Sequence, residues 1–193
     1  MPRDGRIVRG RLEQAALDLF AEHGFDGTTT EQIAARAGVT ERTYFRHFPD
    51  KREVLFASEE ELREVTVAAI ESIPAGVEPL EALHQAFHDV VPLLVRNRQL
   101  AALRAPIIMA APALREREHA KTAALIDLVQ EALVKRNIDE RSALLCARVG
   151  MGVFSTAIRR WATGSATDLH DEVDGAFADL ATMAASLDER RPA

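Results

Sequence analysis

Hydrophobic residues recur with the period of an α-helix near the N-terminus, and two shorter amphipathic segments follow. In the first segment the residues on the apolar face are Val8, Leu12, Ala15, Ala16, Leu19 and Phe20. The segment ends at Gly24, which can adopt the left-handed backbone that closes a helix. Thr29 and Gln32 have the spacing of a capping box, so a second helix is predicted to begin near Thr30. Thr40 is predicted to cap a third helix.

The second and third helices are short, and the turn between them is tight. The apolar stripe of the second helix consists of Ile33, Ala34 and Ala37. Gly38 supplies the bend, and Tyr44 and Phe48 are four residues apart, so they share the inner face of the third helix. Two capped helices joined by a tight turn after a longer helix are typical of a helix-turn-helix unit, which places one helix in a DNA groove.

Beyond residue 50 the apolar residues still have helical spacing, and no segment alternates as a half-buried strand would. The first helices predicted there cover about 50–72, a segment that begins at Pro79, and 99–105, which ends before Pro106. Two further helices cover 112–137 and 139–162, and Asp139 is predicted to cap the second of these. The last helix runs to about 187 and is capped by Thr167 or Asp168. The sequence therefore predicts an all-α protein of about nine helices. We expect an N-terminal three-helix domain at 1–50 and a second domain at 51–193, with a helix from about residue 51 linking the two.

Short motifs follow one another between residues 24 and 55. They are Gly24-Phe25, Thr28-Thr29, Ile33-Ala34, Ala37-Gly38-Val39, Thr43, Phe48 and Lys51 through Leu55. At this spacing the stretch from about residue 6 to residue 56 resembles the DNA-binding domain of the TetR family of bacterial one-component repressors. The resemblance implies a recognition helix from Thr40 to His47. The residues that it implies to contact DNA are Thr28, Thr29, Thr40, Glu41, Arg42, Thr43, Phe45, Arg46, His47 and Lys51.

Within that set the resemblance implies two kinds of contact. Glu41, Arg42 and Thr43 would lie nearest to base edges, whereas Arg46, His47 and Lys51 would lie along phosphates. Two positions depart from the family's pattern. A tyrosine that often binds phosphate in the family is replaced here by Phe45, and the tyrosine of this chain lies one place earlier, at Tyr44 on the inner face.

These departures change the expected contacts. Phe45 is expected to pack on sugar, and Arg46 is expected to bind the phosphate in place of the missing phenol. Arg42 stands where many family members have glycine, so a bidentate contact to guanine becomes possible.

Charge is distributed unevenly along the chain. The formal net charge of -6 at pH 7 argues against a generally basic nucleic-acid coat. Residues 1–56 carry as many basic as acidic side chains, so the excess of negative charge lies in the remainder. Two basic groups stand out in the first part: Arg3, Arg6, Arg9 and Arg11, and then Arg36, Arg42, Arg46, Lys51 and Arg52. This uneven distribution predicts that the N-terminal part of the chain contacts DNA phosphates. The affinity for DNA is then expected to fall as the salt concentration rises.

The last two predicted helices are rich in apolar residues, including Val149, Phe154 and Phe177. Two such helices bury more apolar surface when they meet the same pair of a second chain, and proteins of the TetR family dimerise in this way. The alternative is that both helices complete the core of a monomer. We expect a homodimer through about residues 139–187, because a two-fold dimer can place its recognition helices about 34 to 36 Å apart on a palindrome.

We call the N-terminal three-helix domain, residues 1–50, the head. In proteins that this chain resembles, the helices after the head surround an apolar pocket. The candidate lining residues are Phe87, Val91, Met109, Met151, Phe154 and Trp161, each of which could also be ordinary core. The run RAPIIMAAPALREREH, followed by a long helix and AIRRWATG, is similar to the C-terminal half of actinobacterial members that include mycofactocin-system regulators. That similarity implies an acyl-coenzyme-A-like effector, and an apolar drug-like or lipid-like molecule is the alternative.

His84 and His88 share a helix face at the spacing of two metal ligands. No carboxylate follows in a His-Glu-x-x-His pattern, so the pair is interpreted as partly exposed or pocket-lining histidines, and no metal is predicted. Catalytic residues and cofactors are not predicted either, since the chain has no nucleophile elbow and no Gly-rich phosphate loop. Cys146 is the single cysteine, and no apolar run is long enough for a membrane helix, which favours a cytoplasmic protein.

The patterns together predict a ligand-responsive transcriptional regulator and not an enzyme. We expect a homodimer that represses from a palindromic operator in double-stranded DNA and is released by a small hydrophobic or acyl-coenzyme-A-like effector. The alternative is a helical protein of another class, a small-molecule binder or an enzyme, that only retains the head. Sequence-specific DNA binding distinguishes the two classes.

Overall fold

The structure is a computed structural model that describes residues 3–164 and 167–188. Within these two ranges the chain forms nine α-helices and no strand, so the all-α prediction is confirmed. The helices are α1 (Arg3–His23), α2 (Thr30–Arg36), α3 (Glu41–His47), α4 (Glu59–Ser72), α5 (Pro79–Arg96), α6 (Arg98–Ala110), α7 (Pro112–Lys135), α8 (Glu140–Ala162) and α9 (Leu169–Asp188), with a 3₁₀ turn at Glu53–Phe56.

Local capping explains where the first three helices begin and end. Gly24 has a φ of 75° and its N–H donates to the Phe20 carbonyl at 3.0 Å, which closes α1. The Thr29 hydroxyl accepts from the Gln32 N–H at 3.2 Å, and the Gln32 side chain accepts from the Thr29 N–H at 2.8 Å. The predicted capping box of α2 is therefore present. The Thr40 hydroxyl likewise accepts from the Thr43 N–H at 3.3 Å and caps α3.

The chain divides into two compact units, Met1–Glu60 with Gln99–Ala120, and Glu61–Arg98 with Lys121–Ala193. The first domain was predicted to end near residue 50, whereas the N-terminal segment of the first unit ends at Glu60. The prediction also assigned residues 99–120 to the second domain, but they belong to the first unit. The core of the first unit joins α1, α2, α3, the 3₁₀ turn, α6 and the start of α7. Its largest fully buried side chains are Leu12, Ile33, Tyr44, Phe48, Leu55, Ile108 and Leu114.

The second unit has its own apolar core, to which α4, α5, α7, α8 and α9 contribute. Phe87 and Phe154 stack at its centre, with ring centroids 4.1 Å apart and the rings 6° from parallel. Asp139 caps α8 by accepting from the Ser142 N–H at 3.1 Å, as predicted. Asp168 caps α9 by accepting from the His170 N–H at 2.7 Å, which decides between the two predicted caps.

Two predicted helices differ from the structure. The continuous helix expected over 50–72 is wrong, because Glu53–Phe56 forms a 3₁₀ turn and α4 begins only at Glu59. The helix expected to end before Pro106 instead continues to Ala110. A proline inside a helix removes one N–H donor, and it leaves the carbonyl of Ala102 without its usual partner. Ala102 is exposed, so water can satisfy that carbonyl and the helix tolerates Pro106.

None of the helices that the structure describes combines the length and the apolar character needed to cross a bilayer. The last five residues of the predicted second domain, 189–193, and the first two of the predicted head lie outside the described residues.

Candidate nucleic-acid interface

The third helix presents two different faces. Tyr44 is fully buried and its hydroxyl donates to the Asp50 carbonyl at 3.1 Å. Burial, together with the nearby charges of Asp50 and Glu53, raises the pKa of Tyr44, so the phenol stays neutral and holds the turn that follows α3. Phe48 is buried beside Tyr44, with ring centroids 5.6 Å apart. The inner face predicted from the sequence is therefore present.

The opposite face of α3 carries side chains without internal partners. Arg42 and Arg46 are exposed, and neither forms a hydrogen bond or ion pair with any described residue. Phe45 is 50% exposed, although its ring contacts the edge of the Tyr44 ring at 5.5 Å between centroids. Arg6 in α1 is likewise exposed and makes no such bond to the described part of the chain. Exposed guanidinium groups of this kind are free to bind phosphate or base edges.

Thr28 and Lys51 have structural positions that differ from the expected DNA contacts. The Thr28 side chain is buried, and its hydroxyl donates to the carbonyls of Gly24 at 2.9 Å and Leu19 at 3.2 Å. The Lys51 ammonium donates to the carbonyls of Phe25 at 2.7 Å and Thr28 at 2.8 Å. Both side chains therefore fasten the turn between α1 and α2, and we omit them from the proposed DNA contacts.

His47 also differs from the expected phosphate contact. Both of its ring nitrogens are buried and have no hydrogen-bond partner among the described residues. Burial, and then the positive charges of Arg46 and Arg9, lower the pKa of His47. A neutral imidazole with buried nitrogens offers no charge to a phosphate. In this structure His47 therefore has a structural role in α3 and does not offer a phosphate contact.

The N-terminal end of α3 is joined to α2 by a side-chain contact. The Thr30 hydroxyl donates to Oε1 of Glu41 at 2.5 Å. The hydroxyls of Thr40 and Thr43 lie 3.1 Å apart, close enough for a hydrogen bond between them. The Thr30–Glu41 bond joins α2 to α3, whereas the Thr40–Thr43 contact lies within the start of α3. Arg42 is the side chain at this end without a polar partner in the described chain.

Several arginines of the two predicted basic groups have structural contacts that sequence reasoning missed. Arg9 donates to the Ala57 carbonyl at 3.0 Å and lies over the Phe48 ring, 4.7 Å from its centroid. Arg11 donates to the Ala37 carbonyl beside Gly38. Arg36 forms two hydrogen bonds to Glu22, at 2.8 and 3.1 Å. The side chain of Arg3, also in the predicted arm, lies outside the described part of the chain.

Five of the six predicted pocket residues belong to the second unit, but they do not share one cavity. Phe87, Met151 and Phe154 are buried in its core. Val91 and Trp161 border a cavity of about 320 Å³, together with Pro92, Val95, Arg98, Thr167, Asp168, Leu169 and His170. The sixth, Met109, belongs to the first unit and is 62% exposed, so we leave it out of the proposed pocket.

A second, larger cavity lies along α8 and α9. This groove of about 430 Å³ is lined by Arg148, Val149, Gly152, Val153, Thr156, Arg160, Glu172, Gly175, Ala176, Asp179, Leu180 and Met183. Met183 is 65% exposed, and Leu145, one turn before Val149 on α8, is 63% exposed. The two helices predicted to form a dimer interface therefore expose apolar side chains around an open groove.

The two histidines at metal-ligand spacing do share a face of α5, and the structure adds a carboxylate that the sequence pattern did not indicate. Asp174 of α9 lies against both, with Oδ1 at 2.7 Å from Nε2 of His84 and 2.9 Å from Nε2 of His88. The predicted absence of a metal rested on the missing local His-Glu-x-x-His pattern, and a carboxylate on another helix has no such local signal.

Comparison with known proteins identifies the family of both parts of the chain. Residues 13–58 match the family described as bacterial regulatory proteins, tetR family, and residues 77–185 match the family described as MftR C-terminal domain. The HTH-type transcriptional regulator TcmR of Streptomyces glaucescens is 40% identical over 112 residues. These are 58% of this chain and 49% of TcmR, so the chain spans about half the length of that relative.

Two further proteins match over most of their length. A protein of Mycobacterium tuberculosis named as a mycofactocin biosynthesis transcriptional regulator, MftR, is 22% identical over 190 residues, 92% of this chain and 94% of MftR. The Thermus thermophilus repressor FadR, solved in complex with lauroyl-CoA, is 27% identical with a TM-score of 0.52, covering 88% of this chain and 91% of FadR. The match to the MftR C-terminal domain alone covers more than half of the chain, and the chain therefore belongs to the TetR family of DNA-binding transcriptional regulators.

Proposed function

We propose that the protein is a homodimeric repressor that binds a palindromic operator and is released by an acyl-coenzyme-A-like or other hydrophobic effector. The observation that carries the proposal is the outer face of α3, where Arg42 and Arg46 are exposed and without partners in the described chain. Both arginines lie on a helix whose opposite face is buried through Tyr44 and Phe48. A rigid, inward-anchored helix with free guanidinium groups is suited to a DNA groove. The protein would act in the cytoplasm, where its operator is.

The proposed DNA contacts follow from the positions of the side chains. Arg42, at the N-terminal end of α3, is proposed to form a bidentate contact with guanine. Arg46, one turn later on the same helix, is proposed to bind a phosphate, and the exposed ring of Phe45 is proposed to pack on sugar. Thr43 and Glu41 lie beside Arg42, and Thr29 and Thr40 are exposed at the helix starts. These residues form the proposed interface.

The groove on α8 and α9 supports the homodimer. Val149, Val153 and Leu180 line it, and the exposed Met183 continues its apolar surface. A two-fold interface uses the same surface on both chains, so an apolar groove flanked by protruding apolar side chains can be self-complementary. Arg148 and Asp179, which line the groove, have no partner among the described residues and could pair across the two-fold axis.

The cavity beside Val91 and Trp161 is the proposed effector site. Its volume of about 320 Å³ is at the lower end of the range for small-molecule pockets. Arg98 lies over the Trp161 ring, 4.4 Å from its centroid, and donates to the Trp161 carbonyl at 3.2 Å. An apolar wall beside a guanidinium suits an apolar chain with an anionic group. The lauroyl-CoA bound to the FadR relative supports the acyl-coenzyme-A class.

An effector would act by shifting a population. A ligand that binds one arrangement of the dimer more tightly than another favours that arrangement by the difference in its two affinities. If the favoured arrangement separates the two recognition helices from adjacent grooves, the dimer leaves its operator.

The proposal is tested by fluorescence anisotropy with labelled duplexes from the DNA that flanks the gene, and with a shuffled duplex of equal length as the control. We expect one flanking duplex to bind at least ~1,000-fold more tightly than the shuffled duplex, and both affinities to fall steeply as salt rises. Equal binding of all duplexes, or no binding at low salt, would contradict it. Acyl-coenzyme-A esters of several chain lengths are then added to the complex, with free coenzyme A as the matched control, and release by the esters alone is expected.

A further inference from the structure

Four titratable side chains meet where α5 packs against α9 in the second unit. His84 and His88 lie one turn apart on α5, and His170 and Asp174 lie one turn apart on α9. Nδ1 of His88 is 2.7 Å from Nδ1 of His170, and the two rings are nearly parallel. Asp174 lies at the other end of the cluster, where it contacts both α5 histidines.

Three donor atoms of this cluster converge on one point. Nε2 of His84, Nε2 of His88 and Oδ1 of Asp174 form a triangle whose sides measure 2.7, 2.9 and 3.3 Å. A triangle of this size allows a single ion to lie about 2.0 to 2.2 Å from all three atoms, the distance at which Zn²⁺ binds imidazole nitrogen and carboxylate oxygen.

We propose that His84, His88 and Asp174 bind a divalent transition metal ion such as Zn²⁺. Two imidazoles and one carboxylate are a ligand set for Zn²⁺ and its neighbours, whereas Mg²⁺ and Ca²⁺ prefer oxygen ligands alone. The side chains of His84 and His88 are 23% and 28% exposed, and that of Asp174 is 57% exposed. The site is therefore open on one side, where water or an anionic ligand can complete the coordination.

The surroundings of both histidines suit metal binding. When Nε2 binds a metal, the ring proton is carried by Nδ1, and that proton needs an acceptor. Nδ1 of His88 can donate to Nδ1 of His170, and Nδ1 of His84 faces Oε2 of Glu81 at 3.9 Å. The His84 ring is also stacked on Phe177, with centroids 4.7 Å apart, which fixes its orientation. His170 and Glu81 are thus positioning residues and not ligands.

The site shares no residue with the proposed DNA contacts, because its ligands lie on α5 and α9 whereas those contacts lie on α3 and at the starts of α2 and α3. The competing explanation is a metal-free cluster in which both Nε2–H groups donate to Asp174. That explanation uses the same distances, so only metal titration separates the two.

The experiment uses the full chain without an affinity tag, freed of metal by dialysis against a chelator. Isothermal titration with Zn²⁺ and visible spectroscopy with Co²⁺ are expected to show one ion per chain and a d–d absorption band, while Mg²⁺ gives neither. His88→Ala and Asp174→Asn are expected to lose both signals. His119→Ala, which removes an exposed histidine of α7, is the control and is expected to bind as the unsubstituted chain does.

The positioning role of His170 is tested by two variants. His170→Ala is expected to weaken Co²⁺ binding by about 10- to 100-fold and to change the absorption band, while His170→Gln, which retains an acceptor for His88, recovers part of the affinity. The proposal is overturned if the unsubstituted chain retains no Zn²⁺, or if Asp174→Asn, folded as judged by circular dichroism, binds Zn²⁺ as tightly as the unsubstituted chain. Operator binding is measured on the same samples, so a failed metal titration does not affect the DNA proposal.

Discussion

The ammonium of Lys51 donates a hydrogen bond to the carbonyl of Thr28 at 2.8 Å, across 23 residues of sequence. The same ammonium bonds the Phe25 carbonyl and lies 4.3 Å from the centroid of the Phe25 ring. The lysine therefore connects the chain after α3 to the turn between α1 and α2. Phe25 and Thr28 lie between the end of α1 and the start of α2, where their carbonyls take part in no helical hydrogen bond, and Lys51 donates to both.

Replacing Lys51 by Met is expected to destabilise the head. Methionine retains the length of the side chain but offers no donor to the two carbonyls, and hydrogen bonds from a charged group contribute about 1.5 to 3 kcal/mol each. Lys51 is only half-buried, so water can replace part of both bonds, and we expect the free energy of unfolding in urea to fall by about 1 to 3 kcal/mol in total. Arg52→Met is the control, because Arg52 is exposed and, within the described chain, its side chain pairs only with Asp50, at 3.1 Å, so little change is expected.

The outcome also separates two roles for Lys51. Unchanged stability, with a uniform loss of affinity for all DNA sequences, would favour the phosphate contact that the family resemblance implies. A loss of stability, with operator preference retained at temperatures where the variant is folded, supports the structural role.

Gly150 of α8 lies too close to Leu83 of α5 for a larger residue. A Cβ atom at position 150 would be 2.6 Å from Cδ1 of Leu83, whose side chain is fully buried. Gly150→Ala is therefore expected to force Leu83 out of its position and to lower the free energy of unfolding by about 1 to 3 kcal/mol. Thermal and urea unfolding at one fixed protein concentration measure this change.

Gly10, inside α1 and away from the α8–α9 groove, is the control. A Cβ atom there meets nothing within 4 Å, so Gly10→Ala is expected to raise the free energy of unfolding by about 0.5 to 1 kcal/mol. Equal gains in both variants would show that Leu83 yields without cost, and the close approach of α5 and α8 would then not depend on glycine.

The sequence predicted those parts of the fold that depend on neighbouring residues. The capping box at Thr29 and Gln32, the left-handed Gly24 and the inner face of α3 each follow from contacts within a few residues. Such rules act locally, so a single sequence is sufficient to apply them. The family resemblance then supplied the expectation for the whole head.

Contacts between distant parts of the chain are not predictable in this way. The family resemblance implies a phosphate contact for Lys51, and nothing in the sequence shows that two carbonyls of another turn lie beside its ammonium. Asp174 follows His84 by 90 residues, so no local motif joins the two. The general rule that proline ends a helix predicted a helix end before Pro106. That rule does not consider whether the carbonyl that loses its hydrogen-bond donor, here that of Ala102, is exposed to water.

The proposed homodimer predicts that a charge placed in the α8–α9 groove separates the two chains. Met183→Arg is expected to convert the dimer to a monomer in light scattering coupled to size-exclusion chromatography. The introduced guanidinium would leave water at an apolar interface, and the carboxylate one turn away, Asp179, is the one proposed to pair with Arg148 of the second chain. Met109→Arg is the control, since Met109 is exposed to a similar extent, 62% against 65%, but lies on α6. A dimer that survives the first substitution and not the second would place the interface elsewhere.

The two free arginines of α3 are predicted to differ in what they recognise. Arg42→Ala is expected to cost about 1 to 3 kcal/mol of binding free energy on the operator, to relax the preference at one base pair in each half-site, and to leave binding to random DNA unchanged. Arg46→Ala is expected to weaken binding to all sequences. The salt dependence, measured as the slope of log K against the logarithm of the salt concentration, is expected to fall by about 1 for each phosphate that the variant no longer binds.

Arg36→Ala is the control for both substitutions, because the Arg36 guanidinium is already bonded to Glu22 on α1 and is not part of the proposed interface. Affinities on operator, single-substituted operators and random duplex at two salt concentrations separate the three variants. Equal losses on operator and random DNA for Arg42→Ala would assign Arg42 to the backbone instead of a base. If Arg36→Ala reduced the affinity as much as Arg46→Ala, the reduction would reflect general positive charge, and the outer face of α3 would have no special role in binding.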